Sequence, residues 1–219
     1  MTEVKICGLQ DTSIIRVAAE AGADWVGFVL FPASPRNVLG SGPDALDQLA
    51  HLTGFAADLG IRSTVLMVDP SPELVQEVLD VTAADSIQLH GNESQEQVLR
   101  YARDIDGRAE LWKALRVRSP DTLADLEDWY VDRFLFDAPP LQDGELPGGN
   151  GECFDWDMLA GIEVDRPWFL AGGLTPDNVI SAVLATNAPA VDVSSGVEGR
   201  RGVKDEDLIH AFIEAAKST

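Results

Sequence analysis

Lysine is scarce in this chain of 219 residues, and positive charge is scarce with it. Of the 16 basic residues only four are lysines; 37 aspartates and glutamates outnumber them, so the formal net charge is −21. A balance this acidic excludes a broad positive surface for nucleic acid. An apolar fraction of 45 % argues against a disordered acidic chain. We expect a folded protein adapted to a high-salt, halophilic cytoplasm, with an acidic protein of an ordinary cytoplasm as the alternative.

Cysteines and long apolar runs are scarce as well. Cys7 and Cys153 lie far apart in sequence and match neither a disulfide framework nor the spacing of zinc ligands. No apolar run approaches the ~20 residues of a membrane span, and the N-terminus shows no basic segment followed by an apolar stretch. We therefore expect a cytoplasmic protein with no metal and no membrane association.

Short apolar runs alternate with amphipathic segments along the chain. They have the length and composition of strands buried on both faces. The predicted strands are Val4–Cys7, Trp25–Leu30, Ser63–Val68, Ser86–Leu89, Leu111–Leu115, Arg133–Asp137, Trp168–Ala171 and Ala190–Val193.

Helix start signals stand between these runs. Asp11, Ser71 and Ser94 precede amphipathic segments as N-caps, and Ser119 and Thr175 each precede a proline in the same position. A further helix start is predicted at 154–156, after a long Pro- and Gly-rich segment at 138–151. Eight strand–helix units predict a single (β/α)8 (TIM) barrel over residues 1–219, with an open doubly wound sheet as the alternative.

Glycine-rich turns follow the last two predicted strands. Gly172 and Gly173 follow the seventh strand, and Ser195 and Gly196 follow the eighth strand. In a (β/α)8 barrel these two loops commonly bind phosphate, because backbone N–H groups can approach an anion closely there. The alternative is a pair of tight turns that need glycine for their backbone conformation.

Four other strand ends carry side chains suited to acid–base chemistry or ligand binding. Cys7 is a candidate base or a buried structural cysteine. Arg36 lies in a proline-stiffened loop, where a guanidinium can bind a carboxylate, or it is a surface arginine. Gln88 and His90 share one side of a strand, as ligand contacts or as satisfied polar residues. Asp137 follows an aromatic strand and is a candidate general acid or a turn cap.

These strand ends occur as an ordered set of motifs. The set comprises Val4-Lys5-Ile6-Cys7-Gly8, Ser34-Pro35-Arg36, Gln88-Leu89-His90-Gly91, Phe136-Asp137, Leu170-Ala171-Gly172-Gly173-Leu174 and Asp192-Val193-Ser194-Ser195-Gly196-Val197-Glu198. Over nearly the whole chain it resembles the phosphoribosylanthranilate isomerase family of tryptophan biosynthesis. The resemblance implies an Amadori rearrangement of N-(5-phosphoribosyl)anthranilate to 1-(2-carboxyphenylamino)-1-deoxyribulose 5-phosphate, without metal or organic cofactor, by a monomer or homodimer.

The resemblance also implies a role for each matching residue. Cys7 corresponds to the general base that removes the C2′ proton, and Asp137 to the general acid that protonates the ribose ring oxygen. Lys5, two residues before Cys7 on the same side of the strand, is one candidate for lowering the pKa of the thiol, and the bound substrate is the other. Residues expected to contact the substrate are Arg36 at the anthranilate carboxylate, Gln88, His90 and Asp192, with Gly172, Gly173, Ser195 and Gly196 around the phosphate.

One departure and two alternatives remain. Asn150 stands where the family usually has threonine in a Gly-Gly-Thr-Gly loop. Because asparagine keeps hydrogen-bonding capacity and tolerates turn geometry, we expect the function to be retained. One alternative is a histidine-pathway isomerase. That family resembles this chain in its phosphate loops, but it has an aspartate at the position of Cys7. A non-catalytic phosphometabolite-binding barrel would need neither Cys7 nor Asp137.

The acidic composition predicts that salt stabilises the fold. The melting temperature should rise from dilute buffer to molar KCl, because counterions screen the repulsion among surface carboxylates. Thermal unfolding followed by circular dichroism measures this effect. An unchanged or lower melting temperature in KCl would rule out adaptation to salt.

Overall fold

The computed structural model describes residues 1–40, 44–117, 119–137 and 156–219. Parallel strands close into a barrel in the order of the sequence, so the predicted barrel is confirmed and the open sheet is wrong. The barrel strands are β1 (Glu3–Cys7), β2 (Trp25–Leu30), β3 (Arg62–Met67), β4 (Ser86–Leu89), β5 (Glu110–Arg116), β6 (Arg133–Asp137), β7 (Trp168–Ala171) and β8 (Ala190–Val193).

Helices cover the outside of the barrel, and a short hairpin follows its last strand. The α-helices are α1 (Thr12–Ala21), α2 (Asp47–Asp58), α3 (Pro72–Val81), α4 (Gln95–Ile105), α5 (Val179–Thr186) and α6 (Glu206–Lys217). The hairpin pairs β9 (Glu198–Arg200) with β10 (Val203–Lys204). Asp11, Ser71 and Ser94 cap α1, α3 and α4 as predicted. Among the described residues, no helix is long and apolar enough to cross a membrane.

Two predicted helix starts differ in the structure. Ser119 precedes a 3-10 helix (Pro120–Leu123) instead of an α-helix, and its side chain makes no capping hydrogen bond. Asp125, with φ +57°, then interrupts the segment before a second 3-10 turn. After Thr175 the α-helix is delayed to Val179, because the Asn178 side chain first bonds back to the Thr175 amide at 2.8 Å and holds a turn.

The third difference lies near the predicted helix start at 154–156. A 3-10 helix occupies Trp156–Leu159, and residues 154 and 155 lie outside the described residues. The segment 138–151, with Asn150, also lies outside them.

Aromatic side chains fill the amino-terminal half of the barrel interior. Trp25 meets Trp112 edge-on at 4.6 Å between ring centroids, and Trp112 stacks on Phe169 at 5.0 Å. All three side chains are nearly or completely buried. Arg133, which bonds to Glu3 at 3.3 Å, covers both indole rings from outside. The barrel is therefore closed at this end and can open a cavity only at the carboxyl ends of the strands.

The four lysines all pair with carboxylates. Three of their side chains are at most 3 % exposed, and the fourth, Lys217, is 23 % exposed. The pairs are Lys5–Asp192, Lys113–Glu93, Lys204–Glu198 and Lys217–Asp24, at 2.8–3.2 Å. The lysine side chains therefore place their positive charge mainly within buried ion pairs and add little to the outer surface.

Candidate active site

A cavity of about 580 Å³ opens at the carboxyl ends of the barrel strands. All of the predicted site residues except Gln88 line it. A cavity of this volume is in the range that holds a small metabolite. The described residues bring together no group of three or more His, Cys, Asp or Glu side chains that could hold a metal ion.

Cys7 ends β1 and forms part of the cavity floor. It is 3 % exposed and packs with Val29 and Leu66 in a small apolar cluster. Burial raises the pKa of the Cys7 thiol, although the nearby charges of Lys5 and Lys204 act in the opposite direction. In the protein without substrate, burial outweighs Lys5, so of the two candidates for lowering this pKa only the bound substrate remains.

Lys5 and Asp192 form an ion pair directly below Cys7. The Lys5 Nζ lies 2.8 Å from Asp192 Oδ1, and the lysine side chain is fully buried. Burial alone would lower the pKa of Lys5, but the charge of Asp192 and its hydrogen bond raise it above its ordinary value. Lys5 therefore stays protonated and supplies a fixed positive charge beside the thiol. Asp192 lines the cavity as predicted, with its charge already compensated from below.

Asp137 ends β6, and His90 lies beside it. The His90 Nε2 is 3.6 Å from Asp137 Oδ2, and both side chains are about one quarter exposed. Gln88 is fully buried one layer below, with its amide Nε2 at 2.9 Å from His90 Nδ1. Gln88 thus contacts His90 instead of the cavity, because a strand period of two places it deeper on the same side.

Arg36 lines the cavity from the loop that follows β2. Its Nε and Nη2 donate to the two carboxylate oxygens of Glu198 at 2.5 and 2.8 Å. The guanidinium side chain remains 20 % exposed, whereas Glu198 is 5 % exposed. Arg36 is therefore held by a carboxylate of this chain on one side and faces the cavity with the other.

The glycine-rich turns after β7 and β8 meet at one wall of the cavity. Gly172 and Gly173 have φ of +94° and +61°, which side chains rarely adopt. A Cβ at Gly196 would overlap the carbonyl oxygen of Leu174, so the two loops touch backbone to backbone. Asn178 donates from its side chain to the Gly173 carbonyl at 3.0 Å and holds the first loop. The glycines thus allow the backbones of the two loops to come into contact, so that their N–H groups can be close enough together to bind one phosphate.

Sequence reasoning did not single out some residues that the structure brings to the site. In the hairpin after β8, Glu198 accepts hydrogen bonds from Arg36, and Lys204 donates to Glu198. Arg116 lines the cavity beside Asp137, to which it is adjacent in strand register. Glu198 stands in one of the recognised motifs, whereas no local pattern marks Lys204 or Arg116.

The chain is similar to known proteins over its full length. The family model for N-(5'phosphoribosyl)anthranilate (PRA) isomerase matches residues 4–215. The chain belongs to the phosphoribosylanthranilate isomerase family. A family member from Paramagnetospirillum magneticum is 45 % identical over 98 % of this chain and 97 % of its own length.

Solved structures of phosphoribosylanthranilate isomerases share the fold. The enzyme of Thermotoga maritima is 31 % identical, with a TM-score of 0.82 and full coverage of both chains. Another family structure, in complex with reduced 1-(o-carboxyphenylamino)-1-deoxyribulose 5-phosphate, is 29 % identical with a TM-score of 0.77 and full coverage of both chains. The family is thereby supported by sequence and by fold.

The buried position of Cys7 predicts that it ionises only in alkaline solution. In a Cys153→Ser background, the rate of alkylation of Cys7 by iodoacetamide should rise with pH to a midpoint above that of the unfolded chain. The thiolate alkylates and the thiol does not, so a raised pKa moves the midpoint upward. Mass spectrometry of the modified protein measures the rate, and the urea-unfolded protein is the control, with a midpoint near 8.5. A folded-state midpoint below that of the control would contradict this assignment.

Proposed function

We propose that this chain converts N-(5'-phosphoribosyl)anthranilate into 1-(2-carboxyphenylamino)-1-deoxyribulose 5-phosphate, with Cys7 as the general base and Asp137 as the general acid. The observation that carries the proposal is that the thiol of β1 and the carboxyl of β6 line one cavity together with Arg36 and the glycine-rich loops. The substrate is a small phosphorylated molecule, and all of the groups that the reaction needs come from a single chain.

The proposed orientation of the substrate follows from the walls of the cavity. Its phosphate accepts hydrogen bonds from backbone N–H groups of the loops after β7 and β8. Its carboxylate lies at the Arg36 guanidinium. The anthranilate ring packs on an apolar wall formed by Val29, Phe31 and Leu66, with Val68 beside them. The ribose then spans the cavity between β1 and β6.

Two proton transfers carry the rearrangement. Asp137 donates a proton to the ribose ring oxygen as the C1′–O bond breaks, and this gives a protonated Schiff base. Cys7 removes the proton from C2′, and the electron pair of the C–H bond shifts toward the nitrogen to give an enolamine. Ketonisation of the enolamine yields the product. Solvent returns a proton to Asp137 and takes one from Cys7, so that protons balance over a cycle.

The protonation state of Cys7 governs the second of these two proton transfers. Burial raises the pKa of the thiol, so the free protein holds a thiol instead of a thiolate at neutral pH. The cationic Schiff base adds a positive charge next to the sulfur, which favours the thiolate. We infer that substrate binding and ring opening drive the release of the thiol proton to solvent and so generate the base, with the positive charges of Lys5 and Lys204 favouring the thiolate.

The rival functions differ from this one in the residues that they require. A non-catalytic barrel would need only the glycine-rich loops, and would need neither a thiol nor a carboxyl in the same cavity.

The cytoplasmic location and the monomeric or homodimeric state expected from the sequence remain part of the proposal. Sedimentation at low protein concentration distinguishes monomer from dimer.

Removal of either proton-transfer group should abolish most turnover. Cys7→Ser and Asp137→Asn should each lower kcat by at least about a hundredfold, since each removes a general base or acid. Turnover of phosphoribosylanthranilate, followed by the loss of its anthranilate-type fluorescence, measures the effect. Asp58→Asn, an exposed aspartate at the end of α2, is the matched control. Near-normal kcat in both site variants would exclude this mechanism.

The contact between the two glycine-rich loops predicts a defect in phosphate binding. Gly196→Ala must displace the backbone at Leu174, so the KM for substrate and the inhibition constant of inorganic phosphate should both rise by about tenfold, as expected for the loss of one or two hydrogen bonds. Gly54→Ala in α2, where a Cβ would meet no atom within 4 Å, is the control. Equal phosphate inhibition in both variants would place the phosphate elsewhere.

A further inference from the structure

Glu198 is a buried carboxylate that the proposed reaction does not use. It stands at the start of the β9–β10 hairpin, with its side chain 5 % exposed. Its oxygens accept hydrogen bonds from Arg36 Nε at 2.5 Å, Arg36 Nη2 at 2.8 Å, the Gly202 backbone N–H at 2.9 Å and Lys204 Nζ at 3.2 Å. Burial of a carboxylate with this many donors indicates a group that is permanently charged and fixed in place.

The ionisation of Glu198 agrees with this geometry. Burial raises its pKa, but the hydrogen bonds from Arg36 and Gly202 and the charge of Lys204 lower it to about 2. The contact with Arg36 therefore persists through the neutral range and does not depend on pH there.

Glu198 binds one edge of the Arg36 guanidinium. Glu198 occupies Nε and Nη2, so that the Nη1 end of the group donates to no atom among the described residues. The arginine stem passes over Gly8, where an added Cβ would lie 2.5 Å from Arg36 Cδ. A guanidinium has five N–H donors in a planar fork, so a second carboxylate can bind end-on at Nη1 and Nη2 while Glu198 holds the side.

Lys204 adds charge and a second anchor to this cluster. Its Nζ donates to Glu198 and to the Ser194 carbonyl, the latter at 2.8 Å, and the Ser194 hydroxyl donates to the Cys7 carbonyl at 3.1 Å. Arg36 and Lys204 together outnumber the single carboxylate of Glu198, so the cluster keeps one positive charge in excess. An arginine paired with a carboxylate alone would present no net charge to an anionic ligand.

We propose that Glu198 and Lys204 are positioning residues, which fix the Arg36 guanidinium side-on and keep the cluster positive so that its open end binds the carboxylate of the substrate. This rests on the proposed function, since the carboxylate is that of the anthranilate group. Selection of a carboxylate-bearing substrate is then a property of the hairpin after β8 as well as of Arg36.

A double-mutant cycle tests whether Glu198 acts through Arg36. The probe is reduced 1-(o-carboxyphenylamino)-1-deoxyribulose 5-phosphate, with its analogue that lacks the carboxylate, each measured by titration calorimetry. Glu198→Gln should weaken binding of the carboxylate probe by about tenfold in the wild-type chain and by less than about twofold in an Arg36→Met background. Glu198→Gln should leave the affinity for the analogue unchanged. Lys204→Met should also weaken binding of the carboxylate probe.

Controls separate positioning from simple damage to the fold. Glu96→Gln removes an exposed ion pair on α4 and should change neither affinity. Glu198→Asp keeps the charge but shortens the reach, so it should weaken the carboxylate probe too, and it replaces Glu198→Gln if that variant does not fold. Additive effects in the cycle, or equal loss for both probes, would overturn the inference.

The inference and the proposed function fail in different ways. If the wild-type chain does not turn over phosphoribosylanthranilate yet the cycle shows coupling for the carboxylate probe, the proposed reaction is wrong and the positioning role stands. If turnover is observed without coupling, the reaction stands and the positioning role is wrong.

Discussion

The ion pair between Lys5 and Asp192 is the constraint around which the site is organised. The two residues are register partners on β1 and β8, the strands that close the barrel. A charge in a barrel interior is tolerated only when it is paired, and loss of one partner leaves the other uncompensated. The pair therefore ties barrel closure to the chemistry above it, because Cys7 lies on the same strand as Lys5, two residues further on.

Below this pair the barrel interior is filled by buried aromatic side chains, and above it the barrel opens into the polar cavity. Trp25, Trp112 and Phe169 fill the lower half, so the cavity has a rigid floor. The cations at the upper end come from three directions: from β1 through Lys5, from the β2 loop through Arg36 and from the hairpin after β8 through Lys204. In a chain with such an acidic balance, these few cations collect where an anionic substrate would bind.

Much of this arrangement is predictable from the sequence, for reasons that are local. Apolar runs mark the strands because both faces are buried, and Asp11, Ser71 and Ser94 mark helix starts because a short polar side chain can satisfy the first free N–H groups. The 3-10 turns after Ser119 are not predictable this way, since they depend on a left-handed backbone at Asp125.

Features of the site that depend on distant contacts escape sequence reasoning. Glu198 and Arg36 are 162 positions apart, so no local pattern connects them. The pKa of Cys7 is set by how deeply the thiol is buried, which outweighs the lysine that the sequence places two residues away. Gln88 was expected in the cavity because it lies on the same side of β4 as His90. It lies deeper in the barrel, however, and is fully buried, whereas His90 lines the cavity.

The pairing of every lysine has a practical consequence for chemical modification. Amine-directed reagents acylate lysine only when the amine is accessible and uncharged, and in the folded chain three of the four side chains are buried in ion pairs. Acylation of Lys5, for example, requires that the seam between the first and last barrel strands open. Covalent labelling of Lys5 would thus record transient opening of the barrel, whereas labelling of Lys217, which is 23 % exposed, would report on the surface.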